Sequence, residues 1–173
     1  RIGEVVGIFK AYCTRVGSGP FPTELDNEVG ENIRQIGHEF GATTGRDRRC
    51  GWIDLPALKY AIMINGATQL SMMKADVLDV FDDIYACTHY EVGGEKIDYL
   101  PYDIESVPVK PIYEKIKAWN VDTTKLNSIE DAPVDLHNYI AYLEAQLNVP
   151  ITVVSVGPDR SQTLMRESNV ELV

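Results

Sequence analysis

Positive charge is scarce in this sequence of 173 residues: 16 Lys and Arg stand against 26 Asp and Glu, a formal net charge of −10. So acidic a chain is poorly suited to a phosphate backbone, and nucleic acid is excluded as a partner. Cysteine and histidine are equally sparse. Cys13, Cys50 and Cys87 form no CxxC pair, and with His38, His89 and His137 they offer no zinc-ligand spacing. No metal site is expected within these residues, and three unpaired thiols read as those of a reduced, cytoplasmic protein. No run approaches the roughly 18 apolar residues that span a bilayer, which excludes a membrane helix. The phosphate-loop pattern GxxxxGK[ST] occurs nowhere, so chemistry on a triphosphate would need groups that this chain does not carry. The opening Arg1-Ile2-Gly3-Glu4-Val5-Val6-Gly7-Ile8 has neither an initiator methionine nor a signal-peptide pattern. It reads as the interior of a longer chain, cut before a strand.

What is there is ordinary globular material, 45% hydrophobic and 24% charged, enough for one domain or part of one. The apolar run Val5 to Tyr12 predicts a buried strand leading into a Gly/Pro-rich loop, Thr14 to Pro22. Val29, Ile33, Ile36 and Phe40 recur at helical spacing with Gly41 as the stop, and a second helix is predicted from Pro56 to Asn65-Gly66. Leu70 to Met73 reads as a short strand. Segments 84–90 and 96–99 flank Val92-Gly93-Gly94-Glu95 as a hairpin. Residues 101–131 show little periodicity and read as an extended connection. Pro133 opens the clearest helix, with Leu136, Tyr139, Ile140, Leu143 and Leu147 on one face, and Ile151 to Val154 is the last strand. Strands alternating with helices predict an α/β fold with functional loops at strand ends.

Four such loops carry chemistry. Thr43-Thr44-Gly45-Arg46-Asp47-Arg48-Arg49 packs two hydroxyls, a glycine and three arginines into seven residues. That is an anion receptor, because each guanidinium offers a fixed fork of donors; the alternative is a solvated charged loop, with Asp47 offsetting part of the charge. Lys74-Ala75-Asp76 ends an apolar strand. A carboxylate there could accept from both N1–H and the 2-amino group of guanine, a donor pair that adenine lacks; alternatively it is an acidic helix start. Asp79, Asp82 and Asp83 read as helix-dipole and surface charges. Ser155-Val156-Gly157-Pro158-Asp159-Arg160 is another strand-end segment, either a ligand loop or a plain Gly-Pro-Asp turn. The glycines of Arg15-Val16-Gly17-Ser18-Gly19-Pro20 form no phosphate loop and no helix follows them.

The order TRVGSGPFPTEL (14–25), GHEFGATTGRDRRCGWIDL (37–55), MMKADVLD (72–79) and VSVGPDR (154–160) closely resembles the adenylosuccinate synthetases. The likeness runs through nearly the whole chain; PIYE (111–114), Trp119 and NVPI (148–151) also fall in place. On this resemblance residues 1–173 are the C-terminal portion of such an enzyme. The fold it implies is α/β: part of a mostly parallel sheet with flanking helices and a β-hairpin, related to the P-loop nucleotide hydrolases. The activity it implies is GTP-dependent ligation of IMP and L-aspartate to adenylosuccinate by a homodimer with Mg2+. The phosphate loop, the catalytic Asp and His and the Mg2+ ligands would lie in the absent N-terminal half, leaving no catalytic residue here and this chain inactive alone.

The resemblance also implies roles. Ala42, Thr43, Thr44, Gly45, Arg46, Asp47 and Arg48 match the aspartate loop, with Thr44 and Arg46 on the carboxylate and Arg46 also near IMP. Arg48 matches an arginine tied to both aspartate and GTP. Lys74, Ala75 and Asp76 match the guanine-recognition segment, Ser155, Val156 and Gly157 the loop over the base, and Val16 and Gly17 a main-chain contact to the IMP ribose. Three positions depart from the family: Ala75 where Leu is frequent, Asp47 between two functional arginines, and Lys117-Ala118-Trp119 where Pro-Gly-Trp is typical. A free-standing module that binds guanine nucleotide or dicarboxylate without catalysis, and a structural domain whose loops have lost function, are the rival readings. Retention of Arg46, Arg48, Lys74 and Asp76 together argues against the second rival.

Overall fold

The structure, a computed structural model, describes residues 3–167. The opening Arg1-Ile2 and residues 168–173 lie outside the described residues. In chain order the elements are β1 (Val6–Lys10), β2 (Cys13–Arg15), α1 (Glu28–Ile36), β3 (Arg49–Gly51), β4 (Ile53–Asp54), α2 (Leu55–Asn65) and β5 (Gln69–Met73). After a 3-10 turn at Ala75–Leu78 come β6 (Asp83–Val92), β7 (Glu95–Ile97), β8 (Val109–Lys117), α3 (Val134–Leu147), β9 (Ile151–Ser155) and β10 (Thr163–Met165). The chain that reads in sequence as one domain, or part of one, divides into two compact units.

The first unit takes the chain up to Ala11, residues Ala61–Ile84, and the chain from Ile116 onward. Its sheet has the order β1-β5-β9-β10. β1, β5 and β9 run parallel, and β10 closes the edge antiparallel to β9. This is the parallel α/β arrangement that the strand–helix alternation predicts. α3 starts at the predicted Pro133 and buries the five predicted apolar side chains, because their 3.6-residue period forms one stripe. It stops at Asn148, which adopts the left-handed conformation with φ 53°. The fully buried run predicted at Val5–Tyr12 is corrected: β1 covers only Val6–Lys10, with Val6 50% and Ile8 75% exposed. It lies at the end of the strand order, where one face stays open.

The second unit takes Tyr12–Tyr60 and Tyr85–Lys115. β2 pairs antiparallel with β3, β4 runs parallel to β6, and β6 turns into β7. The hairpin falls at the predicted place because Gly93 and Gly94 both take positive φ, 60° and 87°, as a two-residue turn matched to strand twist requires. Two expectations fail here. α1 ends at Gly37 rather than Gly41, after which His38 turns left-handed at φ 49° and Glu39 enters the interior. The supposedly extended stretch 101–131 contains β8, which pairs with β6. Pro111 lacks the amide that a strand uses for pairing, yet β8 accommodates it.

Candidate functional site

The two strand-end segments of the first unit lie together because β5 and β9 are parallel neighbours. With Met72 opposite Val154, the chain leaving β5 at Lys74 and the chain leaving β9 at Val156 emerge at the same end of the sheet. Lys74 takes a left-handed conformation, φ 60°, which turns the backbone sharply into the 3-10 turn that carries Asp76. The Asp76 Oδ1 atom is buried and has no hydrogen-bond partner. Burial raises the Asp76 carboxyl above the usual carboxylate range, while its own amide and the nearby Lys74 charge pull it back. A buried carboxylate oxygen without a donor costs free energy unless something else supplies one.

Opposite it, Val156 is fully buried and its amide donates to the Gln162 carbonyl at 2.9 Å. The Ser155 hydroxyl donates to the Gly157 carbonyl at 3.0 Å, so that side chain holds its own turn. A side chain on Gly157 would collide with Gln162, whose Oε1 accepts from the Asp159 amide at 2.9 Å and whose Nε2 donates to the Thr124 carbonyl at 2.9 Å. Asp79, read above as a surface charge, is instead an internal tie. Its carboxylate accepts from Trp119 Nε1 at 2.6 Å and from the Thr123 amide at 2.7 Å, and burial raises its pKa.

The second unit carries the arginine loop. Its base is closed by the Gly41 amide donating to the Arg46 carbonyl and the Gly45 amide donating to the Gly41 carbonyl, both 2.8 Å. Gly45 sits at φ 64°, where a glycine is needed to complete the turn. Ala42 through Asp47 are exposed, so Thr44, Arg46 and their neighbours face outward from a fastened loop. The three arginines, read together in sequence as one receptor, separate in the structure. Arg46 has no ion-pair partner among the described residues. Arg48 is half-buried and pairs with Glu39, not with the adjacent Asp47, at 2.7 Å. Arg49 turns away from the loop: it grips the Glu24 carboxylate through two bonds of 2.7 and 2.5 Å.

That grip explains how the loop containing Val16 and Gly17 is held. Nη1 of Arg49 donates to the carbonyls of Gly17 and Gly19 at 3.1 and 2.9 Å, and its guanidinium lies 5.5 Å from the centre of the Phe21 ring. With β2 and β3 paired on either side, Arg15 opposite Arg49, the two loops of this unit that the sequence singles out hang from one short ribbon. Beside it is a cavity of about 300 Å³, lined by Thr14, Arg15, Phe21 and Asp54 among others. Asp54 accepts from the Tyr90 hydroxyl at 2.6 Å and from the Ala57 amide at 3.2 Å; burial, the larger influence, raises its pKa. Among the described residues no group of three or more His, Cys, Asp or Glu side chains could hold a metal ion. Nor is any helix among them long and apolar enough to cross a membrane.

The family model for adenylosuccinate synthetase matches residues 1–164. The chain belongs to the adenylosuccinate synthetase family. It is 60% identical over 166 residues to the adenylosuccinate synthetases of Phocaeicola vulgatus and of Bacteroides thetaiotaomicron, which takes in 96% of this chain and 39% of each relative. A solved structure of fully ligated adenylosuccinate synthetase from Plasmodium falciparum superposes with a TM-score of 0.90 at 38% identity, over 95% of this chain and 40% of that one. The chain therefore spans about two-fifths of the length of the synthetases it matches.

Sequence reasoning missed Glu39 and Glu24, and it counted Arg49 in the anion receptor although the structure turns it to Glu24. The signal for Arg49 was the RxRR spacing itself, since residues 46 and 48 share one side of an extended segment and residue 49 faces the other. For Glu39 the flanking glycines were a hint, because Gly37 lets the chain pass close to Tyr12.

Proposed function

We propose that this chain is the C-terminal portion of a GTP-dependent ligase that joins IMP to L-aspartate, yielding adenylosuccinate, GDP and phosphate. In this reading the first unit reads the guanine base and the second holds aspartate and the IMP ribose. The observation that carries it is the buried, unpartnered oxygen of Asp76, beside Lys74 and across from Val156 and Gly157. Guanine answers that vacancy with N1–H and the 2-amino group, so binding the base would recover what burial of the acceptor costs.

In the reaction, IMP loses its N1 proton to a base beyond these residues, its 6-oxygen attacks the γ-phosphorus of GTP and the bond to the β-phosphate oxygen breaks, releasing GDP. The aspartate nitrogen then forms a bond to C6 as the C6–O bond breaks, with phosphate as leaving group and protons lost from the amine. This chain contributes binding and orientation. Arg46 and Thr44 take the aspartate carboxylate, Arg48 serves aspartate and GTP, and Val16 and Gly17 present main chain to the ribose. Phosphate chemistry, the catalytic acid and base, and Mg2+ are assigned in this reading to the part of the enzyme beyond these residues. The complete enzyme is proposed to be a cytoplasmic homodimer.

The test is Asp76→Asn in the complete enzyme, with kcat/KM measured for GTP, ITP and XTP. An amide keeps one acceptor and gains a donor. GTP use is therefore expected to fall by about fivefold to a hundredfold, the cost of a mispaired buried polar group being about 1–3 kcal/mol. XTP, with a carbonyl at position 2, is expected to rise relative to it. An unchanged ranking of the three nucleotides would remove Asp76 as the base reader.

A further inference from the structure

Glu39 is a buried carboxylate to which the proposed function gives no part. It is completely inaccessible and sits between two partners of the same unit. Oε1 accepts from the Tyr12 hydroxyl at 2.6 Å, and Oε2 pairs with Nη1 of Arg48 at 2.7 Å. The backbones are tied as well: the Arg48 amide donates to the Glu39 carbonyl at 3.0 Å, and Arg34 Nε donates to the Arg48 carbonyl at 2.9 Å. Arg48 is thus anchored at its main chain and at one corner of its guanidinium. Its Nε is buried and makes no hydrogen bond. A guanidinium has five N–H donors in a rigid plane, so fixing one corner fixes where all the others point.

We propose that Glu39, oriented by Tyr12, is a positioning residue that sets the angle of the Arg48 guanidinium toward the anionic co-substrate. This inference rests on the reading of Arg48 as a ligand-binding arginine. A free arginine would have to give up its rotamer freedom on binding; here the buried carboxylate has already restricted it. Glu39 also keeps the charge of Arg48 paired while the ligand is absent, which a half-buried guanidinium needs. Gly37 is part of the device, because a side chain there would collide with the Tyr12 hydroxyl and push it off Glu39.

The experiment is a double-mutant cycle in the complete enzyme: Glu39→Gln, Arg48→Leu, and both together, with KM for aspartate, kcat and thermal unfolding measured for each. Arg48→Leu should raise KM for aspartate or lower kcat by about tenfold to a hundredfold, the range for a charge-assisted hydrogen bond. Glu39→Gln keeps the shape and removes the charge; it should shift the same constants in the same direction by several-fold. The double variant should be no worse than Arg48→Leu alone, since Glu39 acts only through Arg48. Additive losses would overturn the proposal, as would a Glu39→Gln enzyme with lowered unfolding temperature and unchanged constants. An Arg48→Leu enzyme with normal kinetics would overturn it too, by removing the role of Arg48 itself, and the Asp76 nucleotide ranking would still stand or fall separately. If Glu39→Gln does not fold, Tyr12→Phe takes its place: loss of one hydroxyl should raise KM for aspartate at least twofold, and an unchanged KM would overturn the proposal.

Discussion

The two units handle charge in opposite ways. In the first, the group offered to a ligand on the proposed reading is an acid with one buried oxygen left without a donor, carried in the 3-10 turn after β5. In the second, the groups offered are arginines on exposed loops, and the acids Glu39 and Glu24 are turned inward to hold the loop roots. Reading a base calls for a fixed acceptor in a dry place, where a wrong pattern leaves a costly unpaired group. Gripping a carboxylate calls for donors that stay in solvent until the ligand arrives, because a charge buried without a partner is costly. On the proposed reading, the same residue types serve as ligand readers in one unit and as scaffolding in the other.

The strongest way to break this comparison is Arg46→Leu in the complete enzyme. If the exposed loop grips the aspartate carboxylate, kcat/KM for aspartate should fall by about tenfold to a hundredfold, or about 1.5–3 kcal/mol, with KM for GTP much less affected. Unchanged steady-state constants would make the loop a solvated surface.

Gly37→Ala sharpens the scaffold side. Its φ of −75° suits any residue, so the expected penalty is purely steric: a Cβ would meet the Tyr12 hydroxyl and, at 2.8 Å, the Ile33 carbonyl. Overpacking of this kind costs about 1–3 kcal/mol, read as a lower midpoint in chemical unfolding. A midpoint at or above that of the parent would show that the Tyr12–Glu39 junction is loose.

The smallest effect is the response to pH, and the units should differ in sign. Asp76 has its folded pKa raised by burial, so its contribution is fully favourable below its unfolded value of about 3.9 and is lost as pH rises through the folded pKa. Asp76→Asn should therefore stabilise the ligand-free enzyme at neutral pH, with the gain vanishing in acid. Glu24 is lowered, chiefly by its hydrogen bonds with Arg49, so its contribution is present at neutral pH and lost as pH falls through the folded pKa. Glu24→Gln should destabilise at neutral pH, modestly because the pair is partly solvated, and be neutral in strong acid. Melting temperatures of both variants at pH 3.5 and pH 7 check this; the same sign for both would break the contrast.

Much was legible locally. The helix opened by Pro133, the Gly93-Gly94 turn and the strands leading into Lys74 and Ser155 were all readable, because each depends on periodicity or on a conformation that only certain residues adopt. The chemistry offered by Arg46 and Asp76 was readable for the same reason, since a guanidinium and a carboxylate carry their donors and acceptors wherever they are placed. Tertiary structure alone decided the rest. It set Lys74-Ala75-Asp76 beside Ser155-Val156-Gly157 through the parallel pairing of β5 with β9, a contact between segments far apart in sequence. It made a strand of the Pro111 segment, exposed Ile8 on an edge, and gave Asp79 to Trp119. It also divided the arginine cluster, sending Arg48 to Glu39 and Arg49 to Glu24. The reason is physical: residue type determines what a side chain can bind, but burial and the partner within 3 Å determine whether that capacity is spent inside the fold or left for a ligand.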